Sequence, residues 1–307
     1  MSKTKLRPSI IIPTLNAASL LAPLIYVLRE QSQKPLEIIV IDSSSDDGTA
    51  DLAQRLGCVV DVIPQEAFDH GGTRNAGTQL ANGEVFVFLT QDALPVNLDF
   101  LQLLLAPIHG KVATAVTARQ IPYPQASPLE VFDRMMNYPS KPHVRQWSDV
   151  ETMGVMAYFF SNAASAIDRI AFEEVGGFPV GLVVNEDMLF CARLLKAGYR
   201  VAYQADALIY HSHSYNFQEL FQRYFDIGVF FTQAGRELRG GGLGARGLNF
   251  AIGQLGYLMR SGAWRWLPRS MLSSLIKAVA FQIGVRAHHL PTQLSENLSR
   301  QKTYWHR

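Results

Sequence analysis

The sequence predicts an α/β fold, a doubly wound Rossmann-like sheet with helices on both faces, followed by a C-terminal helical region. Short runs of β-branched residues without alternation are typical of strands buried on both faces of a parallel sheet. These runs alternate with helical segments through the first ninety residues. At 48% hydrophobic and 18% charged residues, the 307-residue chain has the apolar content of a well-buried core.

The first strand is predicted at residues 9–13 and the helix after it runs to about Gln33. The second strand, at residues 37–42, precedes a helix at residues 49–56. The rhythm then continues with a strand, a helix and a strand, at residues 58–63, about 73–81 and 85–89. This order of elements predicts a largely parallel sheet with crossover helices.

Later elements are predicted less regularly. An amphipathic helix opens at Asn185-Glu186-Asp187, and its leucines, among them Leu189, face inward. Residues 199–210 indicate two strands, or a strand and a turn. We expect the sheet domain to occupy residues 1–215 and a helical, basic region to occupy residues 216–307.

The C-terminal region carries a charge imbalance. Residues 236–307 hold eleven Lys or Arg against two acids, although the net charge of the whole chain is only +2. Basic residues mixed with Trp, Leu and Phe favour a surface that meets anions, either lipid head groups or nucleic acid. We expect peripheral membrane contact rather than nucleic acid, and the aromatic helix after Tyr215 also suits a homodimer surface. An ordinary basic helical subdomain explains the charge equally well.

Cysteine usage and hydropathy bear on the compartment. Cys58 and Cys191 have no CxxC or metal-ligand spacing, which fits a reducing environment. The first residues lack the apolar core of a secretory signal, and no window has the roughly 20 apolar residues that span a bilayer. We expect a cytoplasmic protein, at the cytoplasmic face of the inner membrane.

Polar residues follow three of the predicted strands. They are Thr14 and Asn16, Asp42 and Ser44, and Gln91 and Asp92. The carboxyl ends of parallel strands meet at one edge of a sheet, where loops converge and ligands bind. With the downstream carboxylates Glu186 and Asp187 and the imidazoles His211 and His213, this edge can hold a divalent metal and deprotonate a hydroxyl. The combination indicates a metal-assisted group transferase.

Several segments, in this order and spacing, resemble the inverting glycosyltransferases of family 2, which have a GT-A-type fold. The resemblance covers about residues 8–215. Its pieces are SIIIPTLN, IDSSSDDGT, FDHGGTRNAG, FLTQDALP, SNAASAIDR, GGFP, NEDMLFCARLLKAGYRVAY and HSH. The segments FDHGGTRN and TQDA are most similar to rhamnosyltransferases that build bacterial surface polysaccharides.

The resemblance implies a nucleotide-sugar donor whose base contacts Asp42, with Thr14 and Asn16 lining the same pocket. A carboxylate at a strand end can accept a hydrogen bond from the imide N–H of a base. Ser44 lies in the same loop, and Gln91 follows a neighbouring strand. The alternative is that Asp42 and the serines after it only cap the next helix.

Arg74 and His70 are also predicted to bind the donor. Two glycines between them let the backbone approach a ligand, and the guanidinium can neutralise a phosphate. The alternatives are a surface arginine on a helix and a histidine that hydrogen-bonds the turn.

At the metal site the sequence departs from the family. Thr90 replaces the first Asp of the family's Asp-x-Asp motif, and Asp92 remains. Asp92 with one imidazole can hold Mg²⁺ or Mn²⁺. His211 and His213, alternate on an extended segment, point the same way, and the family's pattern favours His211. A helix cap at Asp92 and a structural histidine are the alternatives.

The catalytic prediction falls on Asp187. Inversion requires the acceptor hydroxyl to lose a proton while it attacks, and the family's base matches this Asp. Glu186 and Asn162 are predicted to bind the acceptor. Acidic residues are common in a first helical turn because of the helix dipole, which is the alternative reading of the acidic pair.

We therefore expect an inverting glycosyltransferase that moves L-rhamnose from dTDP-L-rhamnose to a glycan or lipid-linked acceptor in O-antigen and related polysaccharide biosynthesis. A transferase using another dTDP- or UDP-sugar is one alternative. A non-catalytic nucleotide-sugar binding protein is another, favoured by the loss of a carboxylate at Thr90. The donor base, acceptor, linkage and oligomeric state are not fixed by the sequence.

Overall fold

The computed structural model describes residues 6–235, 237–238 and 243–306. Nine strands in these ranges form one mixed sheet in the order β3-β2-β1-β4-β8-β6-β9-β5, and β7 pairs with β9. The strands are β1 (Pro8–Thr14), β2 (Glu37–Asp42), β3 (Val59–Val62), β4 (Val85–Leu89), β5 (Leu94–Pro95), β6 (Ala115–Ile121), β7 (His143–Arg145), β8 (Ala164–Asp168) and β9 (Val201–Tyr210).

The described α-helices cover both faces of the sheet and continue beyond it. The predicted α/β class is confirmed, and the antiparallel pairs β4–β8 and β6–β8 make the sheet mixed. The helices are α1 (Ala18–Arg29), α2 (Thr49–Arg55), α3 (His70–Leu80), α4 (Phe100–His109), α5 (Pro128–Asn137), α6 (Val150–Met153), α7 (Arg169–Glu174), α8 (Glu186–Lys196), α9 (Phe217–Ala234), α10 (Leu243–Arg260), α11 (Leu267–Val285) and α12 (Thr292–Leu298).

The strands β1, β2 and β4 explain why the apolar runs do not alternate with polar residues. Ile10 and Ile12 belong to one hydrophobic core, whereas Ile11 between them belongs to another. Because successive side chains point to opposite faces, each strand feeds a core on both sides of the sheet. The central strands β1, β2 and β4 pair in parallel, so their carboxyl ends lie at one edge.

The N-terminal end of α3 is fixed to the loop that precedes α8. The Asp69 carboxylate accepts hydrogen bonds from Gly71 N (3.0 Å) and Gly72 N (2.7 Å), which caps α3. Its second oxygen accepts from Gly181 N at 2.9 Å. A Cβ at Gly71 would lie 2.0 Å from the Pro179 carbonyl oxygen, so glycine is required there. This junction brings the first turn of α3 beside the first turn of α8.

The strand β9 is one continuous strand of ten residues, longer than the two short elements considered from the sequence. Its pairing with β6 shifts register between Ala118 and Arg119, and it ends immediately before His211. In α8 the predicted inward face is confirmed, since Leu189 and Leu194 are buried.

The C-terminal helices pack closely on the sheet domain and on one another. Phe225 and Phe230 of α9 share a hydrophobic core with Phe190 of α8. The helices α9 and α11 cross at Gly228 and Gly284. A Cβ on Gly228 would lie 2.4 Å from the Phe281 carbonyl oxygen, and a Cβ on Gly284 would lie 2.1 Å from the Phe225 carbonyl oxygen. The boundary at residues 215/216 stays a prediction. Within the described ranges, no helix has the length and hydropathy needed to span a bilayer.

Candidate active site

A cleft of about 410 Å³ opens where the sheet meets α3, α8 and the C-terminal helices. Its volume is in the range of small-molecule binding sites. Seven of the predicted site residues line it, contributed by the start of α3, the segment before β8, the start of α8 and the segment after β9. They are His70, Arg74, Asn162, Glu186, Asp187, His211 and His213.

Asp187 lies in the first turn of α8 and faces this cleft. Its carboxylate accepts from Asn162 N at 3.0 Å and from Met188 N at 2.8 Å. Burial, reinforced by the neighbouring Glu186 charge, raises the pKa of Asp187 to about 7. A carboxylate with a pKa near neutrality accepts a proton more readily than an ordinary aspartate does, which suits a general base.

Glu186 and Asn162 form a buried network beneath Asp187. Glu186 Oε1 lies 3.2 Å from Arg74 Nη1 and accepts from Asn162 Nδ2 at 3.1 Å. Asn162 Oδ1 accepts from Ser165 Oγ at 2.9 Å. Because Asn162 also donates its backbone N–H to Asp187, the network fixes the orientation of both acids. The acceptor-binding roles of Glu186 and Asn162 stay predictions.

His70 and Arg74 occupy successive turns of α3. Arg74 Nη1 donates to the His70 carbonyl at 2.8 Å as well as pairing with Glu186. His70 Nε2 is buried without a hydrogen-bond partner among the described residues, and burial lowers the pKa of this histidine. The imidazole is therefore neutral, and its residue lines the cleft. Its donor-binding role, like that of Arg74, stays a prediction.

Asp92, His211 and His213 converge on one point. Asp92 Oδ1 lies 3.6 Å from His211 Nε2, and Oδ2 lies 3.6 Å from His213 Nε2. The three ligand atoms lie within 4.8 Å of one another. Among the described residues, these three side chains have the spacing that a metal site requires.

The donor set fits a divalent cation. His211 Nδ1 lies 2.7 Å from Gln120 Oε1, and Gln120 donates its Nε2 to Ser161 Oγ at 2.9 Å. We assign Nδ1–H as the donor to Gln120, which leaves the Nε2 lone pair of His211 directed toward Asp92. Burial lowers the pKa of His211 to about 3, so the imidazole is neutral, as a metal ligand must be.

The residues predicted to bind the base form a second network at the ends of β1 and β2. Asp42, almost fully buried, accepts from Thr14 Oγ1 (2.8 Å), Ser45 Oγ (2.6 Å) and Ser45 N (2.8 Å). Asn16 N donates to Ser45 Oγ at 2.8 Å, and Asn16 Oδ1 accepts from Asp46 N at 3.1 Å. Both loops are thereby fixed around one carboxylate.

Ser44 and Gln91 stabilise the same edge. Ser44 Oγ donates to the Ile63 carbonyl at 2.8 Å. Gln91 accepts from Leu15 N at 2.9 Å and donates to the Leu15 carbonyl at 3.1 Å, which ties the loop after β4 to the loop after β1. The residues of this network do not line the 410 Å³ cleft. The network is joined to the group of Asp92, His211 and His213 because Gln91 and Asp92 are adjacent in the sequence.

Several cleft residues were missed by sequence reasoning. Gln120 lies on β6, Tyr138 directly follows α5, and the others lie on α5, α9 and α11. The capping box of Ser127 and Glu130 would have revealed α5, but no local pattern indicates which helix faces enter the cleft. Among the missed residues are Gln120, Arg134, Tyr138, Arg223, Tyr224 and Lys277.

The sheet is mixed, and a group of carboxylate and imidazole side chains lies at the carboxyl ends of its strands. This combination is typical of the GT-A glycosyltransferases. Residues 9–168 match the model of Glycosyl transferase family 2, and residues 136–290 match that of Glycosyl transferase family group 2. The chain belongs to glycosyl transferase family 2 and is an enzyme. The predicted family, fold and enzyme class are confirmed, and the non-catalytic alternative is set aside.

Two curated relatives align along nearly the whole chain. The O-antigen chain rhamnosyltransferase RfbN of Salmonella typhimurium is 38% identical over 300 residues, which cover 97% of this chain and 95% of the relative. The O-antigen chain rhamnosyltransferase WbaN of Salmonella anatum is 35% identical with the same coverage.

Solved structures share the fold. The mannosyltransferase PcManGT of Pyrobaculum calidifontis, in complex with GDP-Man and Mn²⁺, has a TM-score of 0.66 at 19% identity and covers 94% of this chain and 88% of its own. TarS of S. aureus, in complex with UDP-GlcNAc, has a TM-score of 0.54 at 15% identity, with 92% of each chain covered.

Proposed function

We propose that this protein is an inverting rhamnosyltransferase of O-antigen synthesis, which transfers L-rhamnose from dTDP-L-rhamnose to a glycan or lipid-linked acceptor. The observation that carries the proposal is the near full-length similarity to two O-antigen chain rhamnosyltransferases. A polar base network at the ends of β1 and β2, separate from the carboxylate and imidazole group beside the cleft, suits a nucleotide diphospho-sugar, which has a base at one end and a reactive sugar at the other.

The donor binds across the carboxyl edge of the sheet in this proposal. Its base contacts Asp42 in the pocket of Thr14 and Asn16, and its diphosphate approaches Asp92. Asp42 already accepts three hydrogen bonds from the protein, so its position is fixed before the donor arrives. A rigid carboxylate loses little conformational freedom on binding.

Asp187 acts as the general base. Its carboxylate lines the same cleft and is aligned by two backbone N–H groups, while the adjacent Glu186 is held by Arg74. An acceptor hydroxyl next to Asp187 loses its proton to the carboxylate as its oxygen attacks the anomeric carbon. The nucleoside diphosphate departs on the opposite side of the sugar, so the anomeric configuration inverts.

Asp92 and His211, with His213 beside them, would hold Mg²⁺ or Mn²⁺. When bound, the cation neutralises charge that develops on the departing diphosphate. Gln120 keeps His211 in the tautomer that can bind the metal, and the imidazole ligands favour Mn²⁺ over Mg²⁺.

The outer faces of α10 and α11 fit a peripheral membrane contact. Leu248 and Ile252 on α10 are 63% and 59% exposed and lie one turn apart, as do Leu275 and Val279 on α11, which are 60% and 44% exposed. Trp264, between the two helices, is 60% exposed, and the neighbouring arginines are also exposed. Apolar side chains with Trp and Arg are typical of helices that lie in the membrane interface. We propose that this face docks on the cytoplasmic face of the inner membrane, where a lipid-linked acceptor resides.

Vesicle sedimentation tests the membrane contact. The double variant Ile252→Glu with Leu275→Glu should lose binding to anionic phosphatidylglycerol vesicles, because two charges would have to enter the interface. Ile170→Glu, at an exposed site on α7, is the matched control and should bind normally. A variant that binds vesicles unchanged but dissociates from dimer to monomer in light scattering would identify the face as a homodimer interface instead.

The donor assignment is tested with purified protein and a panel of dTDP-L-rhamnose, dTDP-glucose, UDP-glucose and GDP-mannose, with and without Mn²⁺. We expect the largest thermal shift with dTDP-L-rhamnose and Mn²⁺, and transfer of labelled rhamnose to a lipid extract from an O-antigen-producing strain. Equal shifts for every donor, or transfer of another sugar, would overturn the rhamnose assignment.

A further inference from the structure

Three arginines from distant segments lie at the mouth of the cleft, two of them over the ring of Tyr215. The guanidinium carbon of Arg223, on α9, lies 5.7 Å from the Tyr215 ring centroid, and that of Arg300, after α12, lies 5.2 Å from it. Arg134, on α5, donates from Nε to the His211 carbonyl at 2.7 Å. Arg134, Arg223 and Tyr215 line the cleft.

These arginines have no ion-pair partner among the described residues. The nearby acids have other partners: Glu130 accepts from Ser127 N in the cap of α5, and Asp133 lies 3.9 Å from Lys277. A fourth arginine, Arg269, donates to the Tyr215 carbonyl at 3.1 Å. Like charges held together repel one another, and an anion between them removes the repulsion.

Arg300 is held in place by a buried carboxylate. Asp226 of α9 accepts from Ser299 Oγ at 2.5 Å and from Arg300 N at 3.0 Å, and both Asp226 and Ser299 are almost fully buried. This contact ties the end of the chain to α9, and the next residue, Gln301, lines the cleft. The C-terminal region thus supplies part of the wall of the cleft.

The cluster lies beside the proposed metal site. The Tyr215 ring centroid is 5.5 Å from that of His213, and His213 Nε2 is 3.6 Å from Asp92 Oδ2. Guanidinium groups with two parallel N–H donors bind phosphate oxygens in a bidentate manner. A ligand next to both a divalent cation site and several guanidinium groups carries more than one negative charge.

We propose that Arg223 and Arg300, with Arg134, form a diphosphate-binding subsite at the mouth of the cleft. Two substrates of the proposed reaction carry this group, the nucleotide donor and a diphospho-lipid-linked acceptor. The inference rests on the proposed function only for naming these two sources. The subsite itself follows from the arrangement of the arginines.

The first test uses inorganic pyrophosphate in EDTA, so that no metal contributes to binding. Arg223→Gln and Arg300→Gln should each weaken pyrophosphate binding about tenfold in calorimetry, because a charge-assisted hydrogen bond is lost. Both side chains are exposed, so folding should be unaffected, which thermal unfolding checks. Arg286→Gln, an exposed arginine whose described contacts are with Gln282, is the matched control and should bind like the unaltered protein. No binding to the unaltered protein, or equal binding by all variants, overturns the proposal.

The second test assigns the source. Weaker binding of dTDP by the two variants places the donor diphosphate at the subsite. Weaker binding of a sugar-linked alkyl diphosphate, with dTDP binding unchanged, places the acceptor there. If both variants bind dTDP and the alkyl diphosphate as tightly as the unaltered protein does, the proposal is overturned. If dTDP-L-rhamnose is not a donor but pyrophosphate binding still depends on Arg223 and Arg300, the subsite stands and only the rhamnose assignment fails.

Discussion

The two polar networks of the site differ in how they are built. Around Asp42, hydrogen bonds join loops that directly follow neighbouring parallel strands, and the carboxylate is satisfied by hydroxyl and amide donors. Around Asp187, burial and the adjacent Glu186 raise the pKa of the carboxyl to about 7, and one hydrogen-bond partner, Asn162, comes from a distant segment. The first network is suited to holding a ligand in place, and the second to moving a proton.

The largest effect should come from Asp187→Asn. An amide cannot accept the proton of the acceptor, so kcat should fall about a thousandfold while dTDP binding stays unchanged. Asp206→Asn, at an exposed aspartate on β9, is the matched control and should keep full activity. Equal loss of dTDP binding and turnover in Asp187→Asn would remove the distinction between the two networks.

A smaller effect is expected for His211→Ala. Removing one imidazole from the Asp92 group should weaken Mn²⁺ binding about a hundredfold, with activity partly restored at high Mn²⁺ concentration. Titration of Mn²⁺ into EDTA-treated protein measures this, and His288→Ala, an exposed histidine, is the control. Activity that does not change on removal of metal would contradict the proposed cation site.

The smallest effect is expected for Asp42→Asn. Asp42 accepts three protein hydrogen bonds, and an amide loses acceptors without altering the proton transfer. The KM for the donor should rise about tenfold, with kcat at saturating donor nearly unchanged. Asp51→Asn, exposed on α2, should leave both constants unaltered. A fall in kcat comparable to that of Asp187→Asn would show that donor binding and proton transfer are not assigned to separate networks.

The Asp42 network could be predicted well from the sequence because its geometry is local. Thr14 and Asp42 end strands with apolar runs, Gln91 follows a third, and parallel strands bring their ends together. The start of α3 was predicted near Thr73. The helix begins at His70 instead, because the Asp69 side chain caps it there.

The other half of the site depends on packing between distant segments. Arg134, Arg223 and Lys277 enter the cleft from three helices, and nothing in the local sequence of those helices specifies which face does so. The burial that sets the pKa of Asp187 likewise depends on tertiary contacts. The resemblance to family 2 predicted a catalytic role for Asp187, whereas the sequence could not show how Asn162 and Arg74 contact the acidic pair.

The pH dependence of kcat/KM for the acceptor tests whether Asp187 is a buried general base. A base with a pKa of about 7 is ionised only above that value. We therefore expect kcat/KM to rise about tenfold per pH unit up to about pH 7 and to be level above it, with the fold intact throughout by circular dichroism. A profile that is already level from about pH 5, as for an ordinary aspartate, would contradict the assignment of Asp187 as a buried general base.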